Sequence, residues 1–218
     1  MTDQLKKRLL EDVVIFTGKQ EVRTGAQVLA PDHSPRQHYQ AGRLPERSSL
    51  NARLSGMVDA DGALQRQVEQ FLYYQAELLD TKNWQAYVEL FSEEGVYWMP
   101  ARAEQTEWQD SPSIFAEDRQ LMNVRLGRIT HPNAWSQAPV WGTNHVLGNV
   151  VIEGANERQV TVRSRFQVLE LRRDVLRHFA GTYRHDLIRT DADFRIQLQR
   201  VDLLNAQAPF DYTIQAWV

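Results

Sequence analysis

Gln70–Pro100 reads QFLYYQAELLDTKNWQAYVELFSEEGVYWMP, and the spacing of its apolar residues changes twice within that stretch. Leu64, Val68, Phe71, Leu72, Leu78 and Leu79 recur at three- and four-residue steps, which puts them on one face of a helix. Asp61 lies just ahead of the run and suits the N-cap. Thr81-Lys82-Asn83 breaks the pattern, and Asn83 is expected to cap a short second helix burying Trp84, Tyr87, Val88 and Phe91. Gly95 is expected to end that helix, since helix C-termini favour a residue that tolerates positive φ. Val96-Tyr97-Trp98-Met99 is β-branched and aromatic, which predicts a strand stopped by Pro100. Phe71, Leu72, Leu78, Trp84, Phe91 and Trp98 are the expected core between helices and sheet.

Toward the N-terminus the signal weakens. Residues 3–16 suit a short amphipathic helix through Leu5, Leu9, Leu10, Val13 and Phe16, while Val13–Phe16 alone suits a strand. From Thr17 to Ser55, Pro31, Pro35, Pro45, Gly25 and Gly42 interrupt any period, so residues 1–58 read as an irregular arm and 59–218 as the folded domain. The arm is either disordered or extended along a partner subunit.

Toward the C-terminus an acidic loop, Ala103–Ser113, holds Trp108, either an interface anchor or a loop tip folded on its own domain. Ile114–Gly127 is expected to be a helix, followed by a Pro- and Trp-rich loop over 129–141. Strands are then expected over Thr143–Glu153, from Gln159, over Val175–Arg189 and over Phe194–Leu204, with turns at Gly154–Glu157, Arg173-Asp174 and Asp191–Asp193. From Gln159, Val160, Val162, Phe166 and Val168 alternate with Thr161, Arg163, Arg165 and Gln167, the mark of a half-buried antiparallel strand. Leu169 and Leu171 then shift the phase, which predicts a bulge or a twist to a second buried surface there, and Gly181 predicts a kink or bulge that bends the sheet. Helices followed by hairpinned strands predict an α+β fold with a curved antiparallel sheet.

The chain has 218 residues with 42% hydrophobic and 24% charged, which suits a globular protein rather than a disordered one. A net charge of −3 gives no sign of a nucleic-acid partner, which favours a basic face. No apolar run reaches a membrane span, and Met1–Arg8 lacks the apolar core of a signal peptide, so a cytoplasmic location is expected. With no cysteine the chain has no disulfide and no thiolate ligand for zinc or iron–sulfur.

The six histidines are His33, His38, His131, His145, His178 and His185, and no pair has the short spacing of a metal motif. His178 and His185, seven apart on one strand, point to opposite faces. His145 or His185, the latter beside Asp186, could join a carboxylate as a general base, with Tyr73 or Tyr97 donating to a substrate oxygen. The competing reading makes them structural or interfacial, and no catalytic, cofactor or metal residue is assigned. Arg163 and Arg165 suit a solvated face or a partner's carboxylates.

The blocks QFLYYQAELLD…W…YVELFSEEGVYWMPA, RLGRITHPNAWSQAP…TNHVLGNVVIE and RRDVLRHFAGTYRHDLIR resemble, in order, the small subunit of aromatic-ring-hydroxylating dioxygenases. The resemblance covers roughly the last 155 residues, one domain's span, and leans toward the benzoate-type branch. It implies a nuclear transport factor 2-like cone, with helices held in a strongly curved sheet. It also implies a structural role beside a large (alpha) subunit that carries a Rieske [2Fe–2S] cluster and a mononuclear iron. The assembly would add O₂ to an aromatic ring with electrons from NADH, as a homotrimer within a three-plus-three hetero-hexamer. The alternative is a stand-alone cone-fold dehydratase or isomerase, or an inert ligand-binding protein. On the small-subunit reading, the outer sheet face and the tail aromatics Phe210, Tyr212, Ile214 and Trp217 are expected in subunit contacts.

Overall fold

The computed structural model describes residues 62–218 except 110, 138–140, 192, 211–212 and 216. Asp61, the 3–16 segment, the 17–55 arm and the 58/59 boundary lie outside the described residues.

Helix α1 (Ala63–Asp80) starts from Gly62 at φ 64 and buries Leu64, Val68, Phe71, Leu72, Leu78 and Leu79 as expected, together with Gln75 and Ala76. Asn83 occupies the N-cap position of α2 (Trp84–Glu89), although its side chain makes no capping bond. The helix ends at Glu89, earlier than Gly95, which lies inside strand β1 (Phe91–Pro100). Gly95 is needed there for close approach: a Cβ would sit 2.7 Å from the Ile196 carbonyl oxygen and 2.8 Å from Phe91 Cβ.

Ile114 and Phe115 belong to a strand, not the expected helix. Strand β2 (Ser113–Asp118) pairs antiparallel with β1, from Val96 opposite Asp118 to Pro100 opposite Ser113. Asp118 then caps α3 (Arg119–Ile129), its carboxylate accepting from Leu121 N at 2.8 Å, and the helix runs through Gly127. The apolar stripe over 114–124 was thus a strand and a helix read as one period.

A 3-10 turn (Trp135–Gln137) leads to four long strands: β3 (Trp141–Ala155), β4 (Gln159–Arg172), β5 (Val175–Arg189) and β6 (Phe194–Leu203). The sheet order is β2-β1-β6-β5-β4-β3, antiparallel throughout except for the parallel pair β1–β6. Arg173 and Asp174, both at positive φ (51 and 61), form the two-residue turn between β4 and β5. Asn156 builds the preceding turn by accepting from Arg158 N and Gln159 N, each at 2.8 Å.

The bulges fall elsewhere than expected. β4 pairs with β5 without interruption, and its inward alternation continues through Glu170 and Arg172, so Leu169 and Leu171 are exposed instead of meeting a second core. Register breaks instead in β3, beside Asn149 at φ 51, and between Ile196 and Leu198 of β6. Gly181 marks no break. It lets Asp202 pass: a Cβ would lie 2.1 Å from that carbonyl oxygen.

α1 and α2 lie against the inner face. Phe71, Trp84, Tyr87, Val88 and Phe91 join Val160, Phe166, Phe179, Leu187 and Val201 in one buried cluster. Trp98 is buried but stands apart from that cluster: it alternates away from Tyr97 and Met99, gives its Nε1–H to Ser113 Oγ at 2.9 Å, and lies under Arg200. Among the described residues no helix is long and apolar enough to cross a membrane.

Candidate functional site

Asp80 closes α1 and meets the start of β3. Thr143 and His145 are two residues apart on that strand and so share a face. Thr143 Oγ1 donates to Asp80 Oδ1 at 2.8 Å, His145 N to Oδ2 at 2.8 Å, and His145 Nδ1 lies 2.5 Å from Oδ1. Burial pushes the Asp80 carboxyl up, but the side-chain and backbone hydrogen bonds of His145, its charge, and Thr143 together hold it below the usual value. An ionised carboxylate only accepts, so the proton of this contact sits on Nδ1. His145 Nε2 is buried with no hydrogen-bond partner among the described residues.

A polar belt crosses the apolar core. Ser164 occupies an inward position between Val162 and Phe166, opposite Tyr183; His185 follows on the same face of β5, opposite Gln199 of β6. From the helices, Gln75 Nε2 donates to Gln199 Oε1 at 2.6 Å and Tyr87 Oη donates to the same oxygen at 2.8 Å. The Tyr183 and His185 rings meet edge to face at 5.7 Å. Burial drives the His185 imidazole down to about 3, so it is neutral, and burial pushes the Tyr87 and Tyr183 hydroxyls well up.

The other expected partners separate. Asp186 points away from His185 and accepts from Thr161 Oγ1 at 3.0 Å. Tyr73 is 44% exposed, and the Tyr97 hydroxyl is occupied by the backbone of Val218. His178 is exposed while His185 is buried, the opposite faces expected of them, and His131 is exposed. Arg163 pairs with Glu153 at 2.7 Å and Arg165 Nη1 donates to Thr182 Oγ1 at 2.5 Å, both within the sheet's outer face. Trp108 is half-buried. Among the described residues no cluster of three or more His, Cys, Asp or Glu could hold a metal ion. Asp80 was missed as a partner, although Thr143-x-His145 was the signal: two hydrogen-bonding side chains on one strand face. Ser164 and Gln75 were likewise legible as polar residues at apolar positions.

At Ile214 and Trp217 the tail turns inward, contrary to the expected subunit contact; Phe210 is partly buried, and Tyr212 lies outside the described residues. Ile214, Trp217 and Val218 are buried, and the Trp217 ring lies 5.2 Å from Tyr87 and 6.0 Å from Trp84. Trp217 Nε1 donates to Glu117 Oε2 at 3.0 Å, on a carboxylate that Arg125 also holds through Nε at 2.7 Å. The outer sheet face does keep exposed apolar residues, Val146, Leu169, Leu171 and Leu176, beside its paired arginines. Beside it, Val146, Leu147, Phe166, Gly181 and Leu204 line an open groove of about 490 Å³.

Comparisons with known proteins place this architecture. The chain is 31% identical over 161 residues to the biphenyl 2,3-dioxygenase subunit beta of Rhodococcus jostii, covering 68% of this chain and 84% of that one. The crystal structure of the beta subunit of benzoate 1,2-dioxygenase from Burkholderia mallei superposes with a TM-score of 0.57 at 26% identity, covering 72% of this chain and 99% of that one. A scytalone dehydratase-type chain from Novosphingobium aromaticivorans, at 17% identity with a TM-score of 0.50 over 67% of this chain and 88% of that one, shares the fold, which is the nuclear transport factor 2-like cone. The family model described as the ring hydroxylating beta subunit matches residues 74–209, from the middle of α1 to beyond β6, and the chain therefore belongs to the ring-hydroxylating dioxygenase beta-subunit family.

Proposed function

We propose that this chain is the structural, non-catalytic small subunit of the terminal oxygenase component of an aromatic-ring-hydroxylating dioxygenase. The family match over residues 74–209 carries this reading. The partner is a large subunit that holds the Rieske [2Fe–2S] cluster and the mononuclear iron and receives electrons originating from NADH. The absence of cysteine supports that division, because a Rieske centre needs two Cys beside two His. The exposed leucines of the outer sheet face give the cone a surface suited to assembly. The assembly is a cytoplasmic three-plus-three hetero-hexamer, in which three-fold closure uses heterologous contacts. Co-expression with a dioxygenase large subunit tests the reading: the two chains should co-purify, with iron and turnover following the large one. A well-behaved monomer that ignores that subunit overturns it.

The Asp80–His145 contact favours a second reading, an autonomous dehydratase or isomerase in the cone. Against it, the Tyr97 hydroxyl is engaged and Tyr73 faces solvent. The dyad instead joins the end of α1 to the edge strand β3. Dehydratase activity of the isolated chain, lost in Asp80→Asn, would restore the enzyme reading.

A further inference from the structure

The polar belt has more hydrogen-bonding capacity than the surrounding side chains satisfy. Ser164 Oγ, Tyr183 Oη, both ring nitrogens of His185 and Gln199 Nε2 are buried without a hydrogen-bond partner among the described residues. They are also contiguous. Ser164 stands opposite Tyr183, Tyr183 meets His185 ring to ring at 5.7 Å, and His185 stands opposite Gln199. Ser164, His185 and Gln199 are fully buried and Tyr183 is 3% exposed. Buried polar groups in folded proteins are satisfied by protein or by ordered water, so five such atoms side by side mark a site.

We propose that this belt is a hydration site, where a small cluster of ordered waters bonded to Ser164, Tyr183, His185 and Gln199 forms part of the core. The chemistry of the walls selects the occupant. Every polar side chain of the belt, Gln75 from α1, Tyr87 from α2, Ser164 from β4, Tyr183 and His185 from β5 and Gln199 from β6, is uncharged, since burial keeps His185 neutral. An ion would find no counter-charge in the belt, and an apolar guest would leave the donors unmet. The occupant must both donate and accept, because the hydroxyls and the imidazole offer both roles while the Gln199 amide nitrogen only donates. It must also be small: Phe166 stacks on Tyr183 at 4.0 Å, and Phe91 closes on Tyr87 at 5.5 Å. At about three bonds per buried water, roughly two waters satisfy all five atoms.

Magnetic relaxation dispersion of water ¹⁷O, with a high-resolution crystal structure of the full chain, tests this. The expected result is solvent density within hydrogen-bond distance of Ser164, Tyr183, His185 and Gln199. The long-lived water signal should fall by about one to two molecules in Tyr183→Phe/His185→Leu. If that variant does not fold, Ser164→Ala serves, with loss of the water at Oγ as the expected result. A well-ordered interior with no solvent peak in the belt, a crystallisation additive there instead of water, or a dispersion signal unchanged in the variants overturns the proposal.

Discussion

His185 is fully buried with its imidazole held to about 3, far below the ordinary 6.5. Between those values the unfolded chain takes up a proton that the folded chain refuses. The stability is therefore complete above about pH 6.5 and declines as pH falls toward 3, at no more than about 1.4 kcal/mol per pH unit. Urea melts of the wild type should lose about 1.5 kcal/mol from this residue between pH 6.5 and 5, and His185→Leu should flatten that part of the profile. Asp80 acts in a lower window: its depressed carboxyl contributes above the unfolded value of 3.8 and loses that contribution as pH falls through the folded value. Phe71 (3% exposed) and Trp84 (8% exposed) are buried, so Phe71→Ala or Trp84→Ala should each cost about 3–5 kcal/mol in denaturant melts.

At the scale of elements, the tail and the β5–β6 pair were placed by contacts that span the chain. Trp217 packs on Trp84 and Tyr87 and binds Glu117 of β2, so the tail is a piece of the core. Trp217→Ala should cost about 3–5 kcal/mol, measured as a lowered urea midpoint of the chain without its partner. An unchanged midpoint would return the tail to the interface. In β5, Gly181→Ala should cost at least about 1–3 kcal/mol, because the new methyl meets the Asp202 carbonyl at 2.1 Å, and a paired strand backbone cannot move aside as a flexible side chain can. Hydrogen exchange at the β5–β6 ladder would report the separation.

For the molecule as a whole, the outer face of β3–β5 carries an exposed apolar patch. Leu169 is 39% exposed, Leu171 51% and Leu176 63%, with Leu171 and Leu176 directly opposite each other. Leu171→Lys should leave folding within about 0.5 kcal/mol, as substitutions at exposed positions usually do. The same change should weaken co-purification with the large subunit or self-association, read by light scattering. Equal assembly in the variant would move the interface to another face.

Period and punctuation determined much of this protein without tertiary information. The helical step of Leu64–Leu79 and the alternation of Val160–Val168 follow from 3.6- and 2-residue geometry, which a chain displays locally. The family resemblance in three ordered blocks was equally legible, and it carried the function. Only the tertiary structure decided the rest. Ile114 and Phe115 became a strand because β1 offered an edge to pair with, and Gly95 and Gly181 serve close approaches to distant carbonyls rather than a helix end and a kink or bulge. Leu169 and Leu171 are exposed because unbroken pairing with β5 kept Glu170 and Arg172 on the inner side. The Asp80–His145 contact and the Ser164–Tyr183–His185–Gln199 belt join elements far apart in the chain. Local propensity carries no record of which backbone or side chain will arrive opposite, and that arrival settles the bulges, the buried polar groups and the course of the tail.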